Sequence, residues 1–123
     1  MSFERISDAE HAVMEVLWQR APQTAADVAE ALADDRDWSL QTVKTLLSRL
    51  TSKGAVSYDQ DGRRYLYSPI LAREDYVGDE SKRLVDRLFG GRAAPLIAHL
   101  AEQQEFTAAD IAEIERLIGE LKA

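Results

Sequence analysis

The residues best suited to chemistry in this sequence lie between Ser39 and Arg64. Val43, Leu46, Leu47 and Leu50 stand at i, i+3, i+4 and i+7, which predicts one buried stripe of a helix. Stepping about 100° per residue away from that stripe puts Gln41, Thr45, Ser48 and Ser52 on the opposite side. Thr42, Lys44, Arg49 and Lys53 flank them. This surface is polar and basic and carries no acid. Gln41, Thr42 and Thr45 are suited to base edges and thymine methyl groups. Lys44, Arg49 and Lys53 are suited to neutralising phosphates. Ser39 is a predicted N-cap, and the amides behind it can hold a further phosphate. Arg63 and Arg64 fall at a predicted hairpin tip, within reach of a flanking backbone or minor groove.

These groups act together only if a fold presents them on one side. Ser7 to Arg20 reads as a helix, opened by the S-x-x-E capping box of Ser7 and Glu10 and carrying Val13, Met14, Leu17 and Trp18 on one face. Thr24 to Leu32 reads as a short second helix capped by Thr24 and Asp27. The third runs from Trp38-Ser39 to about Lys53, with Gly54 as its stop signal. Val56–Asp59 and Arg64–Ser68 read as strands, joined by Gln60-Asp61-Gly62-Arg63 with Asp-Gly at the centre of the turn. Three further helices follow, at about Ala72–Phe89, Ala94–Gln103 and from Thr107 to the end. The expected fold is mainly α with a small β-hairpin. Residues 1–71 form a winged helix-turn-helix and residues 72–123 a helical region. In such a motif the second helix lies in the major groove. Tyr58, Tyr65 and Tyr67 read as hairpin packing, Trp18 and Trp38 as core, His11 as a surface residue and His99 as structural.

Composition narrows the function classes. The chain has 123 residues, 46% of them hydrophobic and 30% charged, enough for a core of its own. It has no cysteine, which excludes disulfides and thiolate metal sites, and its two histidines are far apart. No metal, cofactor or catalytic residue is expected: there is no nucleophile–base pair, no ligand spacing and no glycine-rich phosphate loop. No apolar run approaches the roughly 20 residues that span a bilayer, and Met1–Ile6 lacks a signal-peptide pattern, so a cytoplasmic protein without membrane insertion is expected. The net charge is −7. From Ser39 to Ser68, however, Lys44, Arg49, Lys53, Arg63 and Arg64 oppose only Asp59 and Asp61. A basic window in an acidic chain can still make a local DNA-binding face. The acidic balance also leaves an alternative, a winged helix that binds protein instead of DNA.

The chain resembles the penicillinase-repressor family, the BlaI/MecI/CopY-type winged-helix regulators. The resemblance rests on Ile6-Ser7-Asp8-Ala9-Glu10 with Val13-Met14 and Leu17-Trp18, on Thr24-Ala25-Ala26-Asp27-Val28, and on the run Trp38 to Leu50 followed by Lys53-Gly54. Gly62 to Pro69 matches the family's wing, and Glu80-Ser81 with Leu88-Phe89-Gly90-Gly91 matches its dimerisation region. It implies a cytoplasmic homodimer that binds a palindromic double-stranded operator and represses a resistance or stress-response gene. In antibiotic-resistance members a membrane sensor metalloprotease leads to cleavage in the C-terminal region. The corresponding bond here is His99-Leu100, where those members carry Asn-Phe. The cysteine motif of copper-responsive members is absent.

The composition of the C-terminal region agrees with a dimer. Leu84, Leu88, Phe89, Leu96, Ile97, Leu100, Ile111, Ile114, Leu117, Ile118 and Leu121 are more apolar surface than three short helices can bury among themselves. A two-fold interface would bury them and hold two recognition helices about one DNA turn apart, roughly 34 Å or a small multiple of it.

Overall fold

The computed structural model describes residues 4–123. The elements run α1 (Asp8–Gln19), α2 (Ala25–Leu32), α3 (Leu40–Ser52), β1 (Val56–Asp61), β2 (Arg64–Pro69), α4 (Arg73–Phe89), α5 (Ala93–Glu102) and α6 (Ala108–Lys122). This is the expected order of three helices, a hairpin and three helices.

Local chemistry sets the helix ends. Ser7 and Glu10 close a capping box at the start of α1, and Thr24 and Asp27 close one at the start of α2. Ser39 caps α3 by accepting from the Thr42 amide at 3.1 Å. At the other end of α3, Gly54 takes φ +77°. The Ala55 amide then donates to the Leu50 carbonyl at 2.9 Å and the Gly54 amide to Thr51 at 3.1 Å. That pairing satisfies carbonyls the helix leaves open, and it needs a residue that tolerates positive φ.

The faces of α1, α2 and α3 meet in one core. Val13, Met14, Leu17, Val28, Val43, Leu47, Leu50 and Val56 are almost completely buried. Trp18 and Trp38 pack at its edge and stay partly exposed. The Trp18 indole donates to the Leu71 carbonyl at 2.8 Å, and the Arg36 guanidinium lies 5.0 Å over the Trp38 ring. Such amphipathic rings prefer a boundary where the polar end finds a partner.

The hairpin differs from expectation at its turn. Pairing continues to Asp61 opposite Arg64, so the two turn residues are Gly62 and Arg63. Gly62 has φ +65°, which suits a glycine-first two-residue turn and moves the reversal one residue later than the Asp-Gly reading. A further backbone bridge was not legible in the sequence. Gln23 and Tyr67 exchange two bonds, from the Gln23 amide at 3.0 Å and from the Tyr67 amide at 2.8 Å. The chain after α1 thus holds the hairpin edge.

The chain divides into two compact units, the first ending at Tyr76 and the second spanning Val77–Ala123. The division falls inside α4, a few residues later than the sequence boundary, because the first turn of α4 belongs to the first unit. Arg73 pairs with Glu15 of α1 at 2.9 Å, and Tyr76 is 8% exposed. The ring of Tyr76 stacks on His11 at 4.9 Å, and His11 Nε2 lies 3.0 Å from Glu15. His11 is therefore half-buried between elements and not a plain surface residue. In the second unit, Thr107 and Asp110 close the capping box of α6. No residue from Val77 to Ala123 is buried. Among the described residues no helix is long and apolar enough to cross a membrane.

Candidate nucleic-acid interface

Burial of Val43, Leu46, Leu47 and Leu50 turns the rest of α3 outward. Gln41, Thr42, Lys44, Ser48, Arg49 and Ser52 are exposed, and Thr45 is half-buried. No acidic side chain lies on the helix. The hydroxyls divide by hydrogen bonding. Ser39 Oγ and Thr42 Oγ1 lie 3.0 Å apart and serve the cap. Thr45 Oγ1 donates to the Gln41 carbonyl at 3.0 Å, which spends its proton. Among the described residues, the side chains of Gln41, Lys44, Ser48 and Arg49 have no hydrogen-bond or ion-pair partner and are free to meet a ligand.

Lys53 departs from expectation. Its Nζ lies 2.6 Å from Glu10 Oε1 and 2.7 Å from the Arg5 carbonyl, and its side chain is only 23% exposed. A charge so engaged is not available to a phosphate without breaking those bonds. Burial pushes the Glu10 carboxyl up, but bonds from Lys53 and from Ser7 outweigh it and hold the group below its ordinary value. Lys53 is thus the partner of a buried carboxylate, unlike the unpaired Lys44 and Arg49.

At the hairpin, Arg63 occupies the exposed turn without an ion-pair partner among the described residues. Arg64 pairs with Asp61 at 2.9 Å, both side chains more than half exposed. Such a pair is worth little and exchanges readily for a phosphate. Tyr58, Tyr65 and Tyr67 share one face of the hairpin, with Tyr58 and Tyr65 stacked at 4.4 Å. Burial pushes the Tyr67 phenol up. Their mutual packing agrees with the structural reading.

Between α2, α3 and the hairpin lies a cleft of about 650 Å³. Leu40 and Lys44 of α3, the first turn of α2, and Arg63, Arg64, Tyr65 and Tyr67 line it. One carboxylate, Asp27, also faces it. Capping bonds from the Thr24 amide and hydroxyl hold that group below its ordinary value. Leu40 is 43% exposed at the first turn of α3.

In the second unit, Leu84, Leu88, Ile97, Ile111, Leu117, Ile118 and Leu121 are exposed. Phe89, Leu96, Leu100 and Ile114 are half-buried. His99 and Leu100 lie inside α5.

A transcriptional regulator BlaI of Mycobacterium tuberculosis (strain CDC 1551 / Oshkosh) is 38% identical over 125 residues, covering 97% of this chain and 86% of that protein. The penicillinase repressor of Bacillus licheniformis is 30% identical over 118 residues, covering 96% and 92%. The solution structure of monomeric Bacillus licheniformis BlaI in complex with the blaP half-operator matches with a TM-score of 0.53 and 36% identity, covering 61% of this chain and 92% of that one. The pattern of the penicillinase repressor family extends over residues 6–120, and the chain belongs to that family.

Proposed function

We propose that this chain is a transcriptional repressor that binds a palindromic duplex operator as a homodimer, through α3 and the hairpin. The observation that carries the reading is the outer side of α3, where Gln41, Lys44 and Arg49 stand exposed, unpaired and without a neighbouring acid on the helix. Gln41 and the Thr45 methyl group have the chemistry for base edges, and Lys44, Arg49 and Arg63 that for phosphates. The half-operator complex of the related BlaI supports duplex DNA as the partner.

The homodimer is supported by the second unit. An isolated helical unit in which nothing is buried lacks a core, and its exposed leucines and isoleucines gain one by packing against a second copy. Pairing joins two half-site contacts into one, so binding depends on effective concentration and fails when the dimer parts. Cleavage by a membrane sensor metalloprotease at His99-Leu100 would have this effect. That bond lies within α5, so the helix must first unwind locally.

The test is a salt titration of the full chain on duplexes selected from a random pool. With Lys44, Arg49 and Arg63 free on the proposed face of each protomer, and so about six phosphates neutralised by a dimer, log K should fall against log salt with a slope of about −5. No selected duplex, or an affinity indifferent to salt, overturns the reading in favour of a protein partner.

A further inference from the structure

We infer that Leu40 is a specificity-determining residue that reads a thymine methyl group in each operator half-site. The inference rests on the DNA-binding reading above and deepens it.

Leu40 is the first residue of α3, directly after the Ser39 cap. It is 43% exposed, although the buried stripe begins only three residues later at Val43. Every other exposed position of α3 is polar. Among the described residues of the first unit, the exposed large apolar side chains are Leu40, Tyr58, Tyr65 and Ile70. The two tyrosines cover part of each other by stacking. Ile70 lies beyond the end of β2, so Leu40 alone among these supplies an open aliphatic group at the start of α3, on the flank that faces the cleft.

Its surroundings identify what would cover it. Leu40 shares the cleft wall with Lys44, Arg63 and Arg64, a cationic rim that attracts a polyanion. In a helix-turn-helix, the N-terminal residues of the recognition helix contact base edges. A leucine has no donor or acceptor, so it cannot distinguish bases by hydrogen bonds. The apolar group a base pair displays in the major groove is the thymine C5-methyl. Contact between the two removes the leucine side chain and the methyl from water together.

The experiment uses the full chain and the operator it selects from random duplexes. Each thymine is replaced singly by uracil, which removes the methyl and keeps every hydrogen-bonding atom. The wild type should lose about threefold to fivefold at one position per half-site, the effect of burying one methyl group, and about ninefold to 25-fold when both half-sites are changed. Leu40→Ala should bind the parent operator correspondingly less tightly and show no further loss at that position. Leu40→Met should restore part of the thymine preference. Leu40 is exposed and its cap is left intact, so circular dichroism and the salt slope should match wild type in both variants. Uracil losses that are the same in wild type and Leu40→Ala at every position, or a selected operator without thymine, overturn the role of Leu40 and leave DNA binding standing. Failure to select any duplex overturns the DNA-binding reading itself.

Discussion

Lys53 and Glu10 meet at 2.6 Å and join the end of α3 to the start of α1. Glu10 is 2% exposed, so its carboxylate sits in the core boundary and depends on that partner. Lys44, nine residues earlier and also flanking the apolar stripe, has no partner among the described residues. Two lysines with the same local signal therefore divide into one that holds the fold and one that faces outward.

Their variants should separate cleanly. Lys53→Met leaves a buried carboxylate uncompensated and should cost about 2–3 kcal/mol in urea unfolding, while the salt slope of DNA binding stays unchanged. Lys44→Ala should leave unfolding unchanged and reduce the salt slope by about 1 per protomer. A Lys53→Met protein of full stability would show that the pair is dispensable.

Acid should weaken the first unit through two carboxylates. Bonds from Lys53 and Ser7 outweigh burial to hold Glu10 below its ordinary value, and the Arg73 guanidinium does the same for Glu15. A carboxyl whose folded value is depressed adds stability above its unfolded value and loses it as pH falls through the folded value. The urea midpoint should fall from neutral pH into the acid range. Glu10→Gln should be less stable at neutral pH and flatter on the acid side. An unchanged acid slope would remove Glu10 from that account.

Gln23 should matter more than a loop residue ordinarily does. Its side-chain amide donates to the Arg20 carbonyl at 2.6 Å and the Val16 carbonyl at 3.1 Å, and the residue is 2% exposed. Gln23→Ala removes the side-chain donor from the Arg20 carbonyl and leaves the Val16 carbonyl only the Arg20 amide at 3.3 Å, and it should cost about 2 kcal/mol. The protection of the Tyr67 amide against hydrogen exchange reports whether the bridge to the hairpin loosens with it.

Deleting residues 100–123 removes α6 and the end of α5. The truncated chain should sediment as a monomer and bind a full operator no better than a half-site. A truncated dimer would move the interface elsewhere.

Arg63→Ala should weaken binding by a similar factor on all duplexes, as loss of a phosphate contact does. Gln41→Ala should change base preference at one position by about 1–3 kcal/mol. Selection with each variant from the same pool distinguishes the two, and identical selected sequences for both would refute the division.

Much of this protein was legible before any coordinates. The capping boxes at Ser7, Thr24 and Thr107, the stripe of α3, the Gly54 stop and the hairpin all follow from bonds and periodicities that act within a few residues. Tertiary structure alone decided which groups on the outer face are free. Glu10 captures Lys53 from 43 residues away, Tyr67 takes Gln23 as a backbone partner, and Tyr76 in the first turn of α4 stacks on His11 of α1. Sequence spacing records the face a side chain occupies on its own element. Only the packing of one element on another fixes what that face meets, because the partner's distance in space is independent of its distance along the chain.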